Sequence, residues 1–272
     1  MHSDKVNAPP THLFNLASPW PFAMWGIDVI GPVNPKASNG HRFILVAIDY
    51  FTKWVEASSY AHVTQKVVKR FIEKDLICRY GPSEKIVTDN AQNFNGKMIV
   101  ELCTKWKIKH SNSSPYRPKM NGAVEAANKN IKKIIQKMVV TYKDWHEMLP
   151  FALHAYRTAV RTSTGSTPYA LVYGMEAVML LEVEIPLLRV LMDSELEEAE
   201  WAKVRYEQLN LISEKRLAAI CHHQLYQKRM AKAYDKKVRP HMFQEGDPVL
   251  KKLLSYQEKI KANGPQIMKV LM

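Results

Sequence analysis

Cysteine is scarce in this chain of 272 residues: Cys78, Cys103 and Cys221 stand far apart, and no Cys-x-x-Cys pair occurs. An odd count without paired spacing argues against a disulfide framework and for a reducing compartment. Each thiol reads as a single buried side chain. Long apolar runs are also missing. A membrane-spanning helix needs about 18 or more consecutive apolar residues, and the patch from Val178 to Leu181 is far too short. No membrane partner is therefore expected. The start, Met1-His2-Ser3-Asp4-Lys5, lacks the apolar core of a secretory signal. A soluble intracellular chain is the expectation. Acids are in deficit: 26 Asp and Glu face 39 Lys and Arg, for a net charge of +13. That surplus favours a polyanionic partner, because cations that neutralise phosphates release counterions.

What is present begins after a polar, proline-punctuated lead-in (residues 1–18). Trp25 to Ile30 is an apolar run carrying one acid, and Gly31-Pro32 ends it. Asn39-Gly40 is a hairpin signal. Phe43 to Ile48 is apolar throughout, which predicts a strand buried on both faces. Thr52 to Ala57 predicts a third strand, completing an antiparallel meander. The period then becomes helical through Val67, Val68, Phe71, Ile72 and Leu76, with closure at Gly81-Pro82. Lys85 to Thr88 predicts a short strand ending at Asp89. Asn95 is placed to cap a helix over 96–106. Ile108 fits one more short strand, and 111–121 reads as a loop. A long helix follows with Val124, Ala127, Ile131 and Met138 on one stripe, then another from Asp144 to Val160. This order of elements predicts an α/β layered domain ending near residue 185. A charged helical connector (186–240) comes next, acidic at first and basic from Lys228 to Arg239.

Three acids stand in telling places. Asp28 lies inside the first strand, where an ionised carboxylate is costly unless compensated. Asp89 sits at the C-terminal end of a strand, where α/β folds commonly build ligand sites. Glu125 lies in the first turns of the long helix, with 35 residues between it and Asp89. Any one of them alone reads as a surface or capping carboxylate. Brought together, three carboxylates repel one another and their pKa values rise. A pair of divalent cations relieves this and suits in-line phosphoryl displacement. Oxygen-only ligands suit magnesium or manganese rather than zinc. Asn128, Lys129 and Lys132 follow Glu125 at +3, +4 and +7, so they share its helix face and could meet phosphates of bound DNA.

The segment Trp25-Gly26-Ile27-Asp28-Val29-Ile30-Gly31-Pro32 resembles the first-aspartate strand of retroviral and retrotransposon integrases. Thr88-Asp89-Asn90 with Phe94 resembles their second-aspartate motif. The run from Ser114 to Glu125 resembles the loop and helix that supply the glutamate, and the 35-residue gap matches the family's spacing. Asp49 to Trp54, Ala155 to Thr158, and Ser163 to Tyr169 also match. The resemblance runs from about residue 9 to 250 and looks most like the gypsy-type LTR retrotransposon branch in its plant form.

That resemblance implies an RNase H-like fold for residues 19–185: a mixed five-stranded sheet flanked by helices, with a C-terminal helical extension and an incomplete SH3-like tail over 241–272. It implies that Asp28, Asp89 and Glu125 bind two Mg²⁺ or Mn²⁺ ions, trim DNA 3′ ends and join them to target DNA. Arg117 and Lys119 join Asn128, Lys129 and Lys132 as expected DNA contacts. A homo-oligomer and a nuclear location follow from the same likeness. Asp49, which also follows an apolar strand, is expected to be structural. Ala91 stands where the family's second motif has glycine; if the site needed positive φ, the replacement would cost about 1 kcal/mol. The chain's start aligns just after the last cysteine of the family's His-His-Cys-Cys module, so no zinc is expected here. In the tail, Gly246 to Leu250 resembles the first SH3-like strand, and Gly264-Pro265-Gln266-Ile267 resembles a later Gly-Pro-aromatic motif. Two other readings stand beside the integrase one: a non-catalytic DNA-binding remnant or host-adopted protein, and a general RNase H-like nuclease.

Overall fold

Apolar runs bracketed by turn residues become β1 (Met24–Ile30), β2 (Phe43–Asp49) and β3 (Val55–Tyr60), and they pair as an antiparallel meander. The computed structural model describes residues 18–112, 128–131, 133–134, 144–178, 197–236, 248–249 and 268–269. β2 is buried on both faces, as its composition predicts. Ile44, Val46 and Ile48 enter one core cluster, while Leu45 and Ala47 enter the other. β3 starts three residues later than expected, because Thr52 and Lys53 belong to a turn organised by Asp49. Its Oδ2 accepts from Thr52 N (2.8 Å) and Thr52 Oγ1 (2.7 Å), and Lys53 adopts a left-handed φ of 63°.

α1 (Gln65–Phe71) is capped by Thr64, whose side chain accepts from Val67 N. It runs on through a π-helical turn (Ile72–Ile77) and Cys78–Tyr80, then stops at Gly81 with φ 84°. β4 (Lys85–Thr88) and β5 (Lys109–Asn112) add in parallel, giving the order β3-β2-β1-β4-β5. α2 (Lys97–Lys105) links them, and Gly96 rather than Asn95 is its N-cap. Asn95 is otherwise engaged: its Nδ2 donates to Ala91 O at 3.0 Å, bracing the loop after β4.

α1 and α2 cover one face of the sheet, where Trp25, Ile27, Phe71, Ile86, Phe94 and Leu102 pack. The other face meets α3 (Trp145–Thr158) and helical residues 128–131, with Ile30, Ile44, Val46, Ile131, Trp145 and Leu153 in contact. The result is the expected mixed five-stranded sheet between helices. A short α4 (Pro168–Tyr173) follows, capped by Thr167 and closed by Gly174 in the left-handed region. The extension consists of α5 (Glu198–Asn210) and α6 (Ile212–Asp235), joined at Leu211, which stays helical. Of the expected SH3-like tail, the described residues form β6 (Pro248–Val249) and β7 (Met268–Lys269), paired antiparallel; its Gly264 to Ile267 motif lies outside them. Cys103 is buried, but Cys78 and Cys221 are exposed, each on the solvent side of a helix. The expectation of three buried thiols is corrected for these two. Among the described residues no helix is long and apolar enough to cross a membrane.

Candidate active site

β1 and β4 run parallel with a constant register: Met24 faces Lys85, Trp25 faces Ile86 and Gly26 faces Val87. The offset is 61 residues, and Asp89 follows Asp28 by the same 61. The paired register ends at Gly26 and Val87, where neighbouring backbones stand about 4.8 Å apart, and Asp28 and Asp89 each lie two residues past that pair. Both are partly buried. The two acids, with 60 residues between them in the chain, thus share one end of the β1–β4 pair.

Asp28 is held on two sides. Its Oδ1 accepts from Val29 N at 2.7 Å, and its Oδ2 accepts from Asn128 Nδ2 at 2.7 Å. Asn128 owes its position to Ile131, three residues on and fully buried in the core over β1 and β2. Residues three apart share a helix face, so anchoring Ile131 turns Asn128 toward the sheet. The amide oxygen of Asn128 is buried and accepts no hydrogen bond from the protein. Lys129, one residue on, is exposed. Glu125, Arg117, Lys119 and Lys132 lie outside the described residues.

Asp89 opens a tight loop. Its Oδ1 accepts from Ala91 N at 3.0 Å, an Asx-type turn that the sequence motif supports. Ala91 has no positive φ, so its side chain carries no backbone cost there. Thr88 stands behind the loop, with its Oγ1 2.9 Å from Asp89 O and 2.9 Å from His110 Nε2. Burial lowers the His110 pKa, which favours the neutral ring. Thr88, Asn95 and His110 were not singled out as loop supports from the sequence. Only the strand register reveals them, since His110 faces Ile86 across β4 and β5.

The donors gathered here are oxygens: two carboxylates and one orphaned buried amide oxygen. That set fits a hard divalent cation. Among the described residues no group of three or more His, Cys, Asp or Glu is arranged to hold a metal ion. The third expected ligand, Glu125, falls outside those residues.

A second polar centre went unnoticed as such. Glu56 on β3 is 5% exposed. It accepts from Trp54 Nε1 (3.0 Å) and from the Tyr80 hydroxyl, and it pairs with Arg157 (3.0 Å) and Arg79 (3.3 Å). Arg157 also covers the Trp54 ring at 4.2 Å and donates from Nη2 to Val55 O at 2.7 Å. Asp49 is fully buried within its turn and pairs with Trp25, three residues along β1 from Asp28, which suits a structural role.

Residues 19–118 match the integrase core domain family. The chain is 31% identical over 153 residues to the Gag-Pol polyprotein of avian reticuloendotheliosis virus, covering 56% of this chain and 13% of that protein. It is 30% identical over 149 residues to the retrovirus-related Pol polyprotein from transposon 412 of Drosophila melanogaster, covering 54% of this chain and 12% of that one. The chain thus spans about an eighth of the length of these relatives. Among solved structures, a simian T-cell lymphotropic virus intasome in complex with PP2A regulatory subunit B56 gamma shares the fold. The TM-score is 0.51 at 22% identity, covering 59% of each chain. Residues 19–118 are therefore similar in sequence to the integrase core domain, and the sheet with its flanking helices has the fold of an integrase.

Proposed function

We propose that this chain is an integrase catalytic core, a polynucleotidyl transferase that processes DNA 3′ ends and joins them to target DNA. The observation that supports the reading is the parallel pairing of β1 with β4, which ends two residues before Asp28 and Asp89, with Asn128 fixed against Asp28. Asp28, Asp89 and Glu125 would hold the metal. When bound, a pair of Mg²⁺ or Mn²⁺ ions supplies the charge that activates a nucleophile and stabilises both the attacking and leaving oxygens of phosphoryl transfer.

The chain's own residues perform the remaining tasks. Two carboxylates on neighbouring strands repel, so they are primed to take up positive charge. Asn128 donates its amide N–H to Asp28, and its own amide oxygen is buried without a donor among the described residues. That oxygen can accept from a water or a hydroxyl on the DNA end. Lys129 stands exposed beside it, suited to a phosphate; Lys132, Arg117 and Lys119 are assigned the same role. Assignment to the gypsy-type, plant-like branch rests on the motif segments, and assembly as a homo-oligomer in the nucleus follows from the same reading.

The test is disintegration of a branched DNA substrate with magnesium or manganese, run on the parent chain and Asp89→Asn. Metal-dependent activity in the parent and a loss of at least about 100-fold in the variant is expected, as for removal of one group acting on transition-state charge. Equal activity in both would sink the catalytic assignment. No activity in either, with salt-sensitive DNA binding intact, would favour the DNA-binding reading without catalysis.

A further inference from the structure

A short helix leaves its last carbonyls without partners inside the helix. In α4 those carbonyls are met by cations from the extension. Arg216 donates from Nε to Leu171 O (2.9 Å) and from Nη2 to Val172 O (3.4 Å). Arg205 donates from Nη2 to Tyr173 O (3.0 Å), and Lys215 from Nζ to Gly174 O (2.6 Å). About two turns further along α6, the rings of His222 and His223 lie 3.5 and 3.2 Å from Ser163 O. These polar contacts hold an arm that buries almost nothing else. α5 has no buried residue, and in α6 only Ala219 is buried among the described residues.

The seat is also incomplete. Arg205 Nη1 is buried and has no acceptor among the described residues. A charged donor left in that state costs free energy, so the docked arm is held below its full bonding capacity. Contacts with little apolar burial open at a small fraction of the global unfolding free energy. Arginine binds a phosphate through two parallel charge-assisted bonds, which are stronger than its bonds to neutral carbonyls. Of the residues that supply these carbonyls, Tyr173 is exposed and Val172 half-buried, so their oxygens can take water when the cations leave, while Leu171 and Gly174 are buried. The distal end of the same helix carries Lys228, Arg229, Lys232 and Lys236, none of them in these contacts. From His223 to Lys236 the helix runs on for about 20 Å at 1.5 Å per residue.

We propose that the α5–α6 arm is a latch released by a polyanion. Without nucleic acid it lies docked on α4, and it lifts when backbone phosphates take Arg205, Lys215 and Arg216 from the carbonyls of residues 171–174. The choice of DNA as the physiological polyanion rests on the proposed function; the latch itself rests on the carbonyl seat. The release swings the distal basic cluster away from the core surface and frees three further cations for the bound strand.

The exposed thiols of Cys78 and Cys221 supply a native labelling pair, with Cys103 buried. Spin labels on the two would be used for pulsed distance measurement on the full chain. A narrow distribution is expected without DNA, and a broader, longer one with a duplex at saturation, checked by fluorescence anisotropy. Lys215→Gln with Arg216→Gln should open the arm with no DNA present. A saturated complex with an unchanged distribution overturns the latch, and so does a double variant that stays narrow. If the duplex does not bind at all, the DNA reading falls. Inorganic polyphosphate then serves as the probe, and an unchanged distance in its presence overturns the latch independently.

Discussion

Glu56 shows why segments that resemble the integrase family need not line the active site. The matching stretches Asp49 to Trp54, Ala155 to Thr158 and Ser163 to Tyr169 gather around it: Trp54 donates to it, Arg157 pairs with it, and the Tyr169 ring lies tilted against Trp54 at 6.4 Å. Burial and then the hydrogen bond to Glu56 push the Tyr80 hydroxyl pKa upward, so Tyr80 stays a donor. Removing one partner of a buried ion pair costs roughly 3–5 kcal/mol, because the other charge is left uncompensated. Glu56→Ala should therefore lower the denaturant midpoint strongly, and Glu56→Gln less. A change confined to tenths of a kcal/mol would mean Arg79 and Arg157 find water instead. Lys53 gives a second test, with the opposite sign from an ordinary ion pair. Burial lowers its pKa from 10.5 to about 8, partly offset by Asp49. Between those values the unfolded chain holds more protons than the folded one, so stability rises with pH across that window and is lowest below it. Unfolding midpoints measured across the window should climb in the parent and stay flat in Lys53→Met. A parallel climb in both would assign the effect to other groups.

Among the helices and strands, those set by a simple period were legible and those set by a side chain reaching out of its own element were not. β2 read correctly because five successive apolar residues have only a doubly buried strand to occupy. The start of β3 was misplaced because Asp49 draws Thr52 and Lys53 into its turn, a tertiary event that propensity does not register. Asn95 has a capping residue's chemistry, yet its amide goes to the Asp89 loop instead. The π-helical turn at Ile72–Ile77 leaves the apolar spacing of Phe71, Ile72 and Leu76 intact and so has no pattern of its own. Within the candidate site, Asp28 and Asp89 stood out as acids at a strand and a strand end, but Thr88 and His110 required the pairing of β4 with β5. Gly174 at the end of α4 offers a clean check. Its φ is 81°, and an added Cβ would meet Ile212 Cδ1 at 3.5 Å and Gln208 O and Ile212 Cβ at 3.6 Å, all ordinary contacts. Gly174→Ala should thus cost about 1 kcal/mol from the backbone alone. It should shift the denaturant midpoint with no change in slope. A larger loss, with a changed slope, would mean that the substitution also disturbs the arm.

The net charge of +13 argued for a polyanion before any element was assigned, yet net charge alone does not say which cations a nucleic acid meets. Arg205, Lys215 and Arg216 count toward the surplus while donating to carbonyls of α4. If the arm stays docked, they neutralise no phosphate. If it lifts, each joins the bound strand and releases about one counterion, steepening the logarithmic salt dependence of binding by roughly 0.9 per phosphate on duplex DNA. Replacing all three with glutamine should then reduce the salt slope by between two and three units, by the same rule. Two controls separate this from loss of general charge. Replacing the exposed Lys97, which pairs only with Glu101 on α2, should leave the slope almost unchanged unless DNA runs across that face. Replacing Asp89 with asparagine should leave it unchanged too, since the role proposed for that residue is to hold metal rather than to meet phosphates. A triple variant with the parent's slope would show that the three cations never leave α4. The extension would then be a fixed buttress of the core, and the salt dependence would belong to the cations assigned beside Asp28 and to the distal helix.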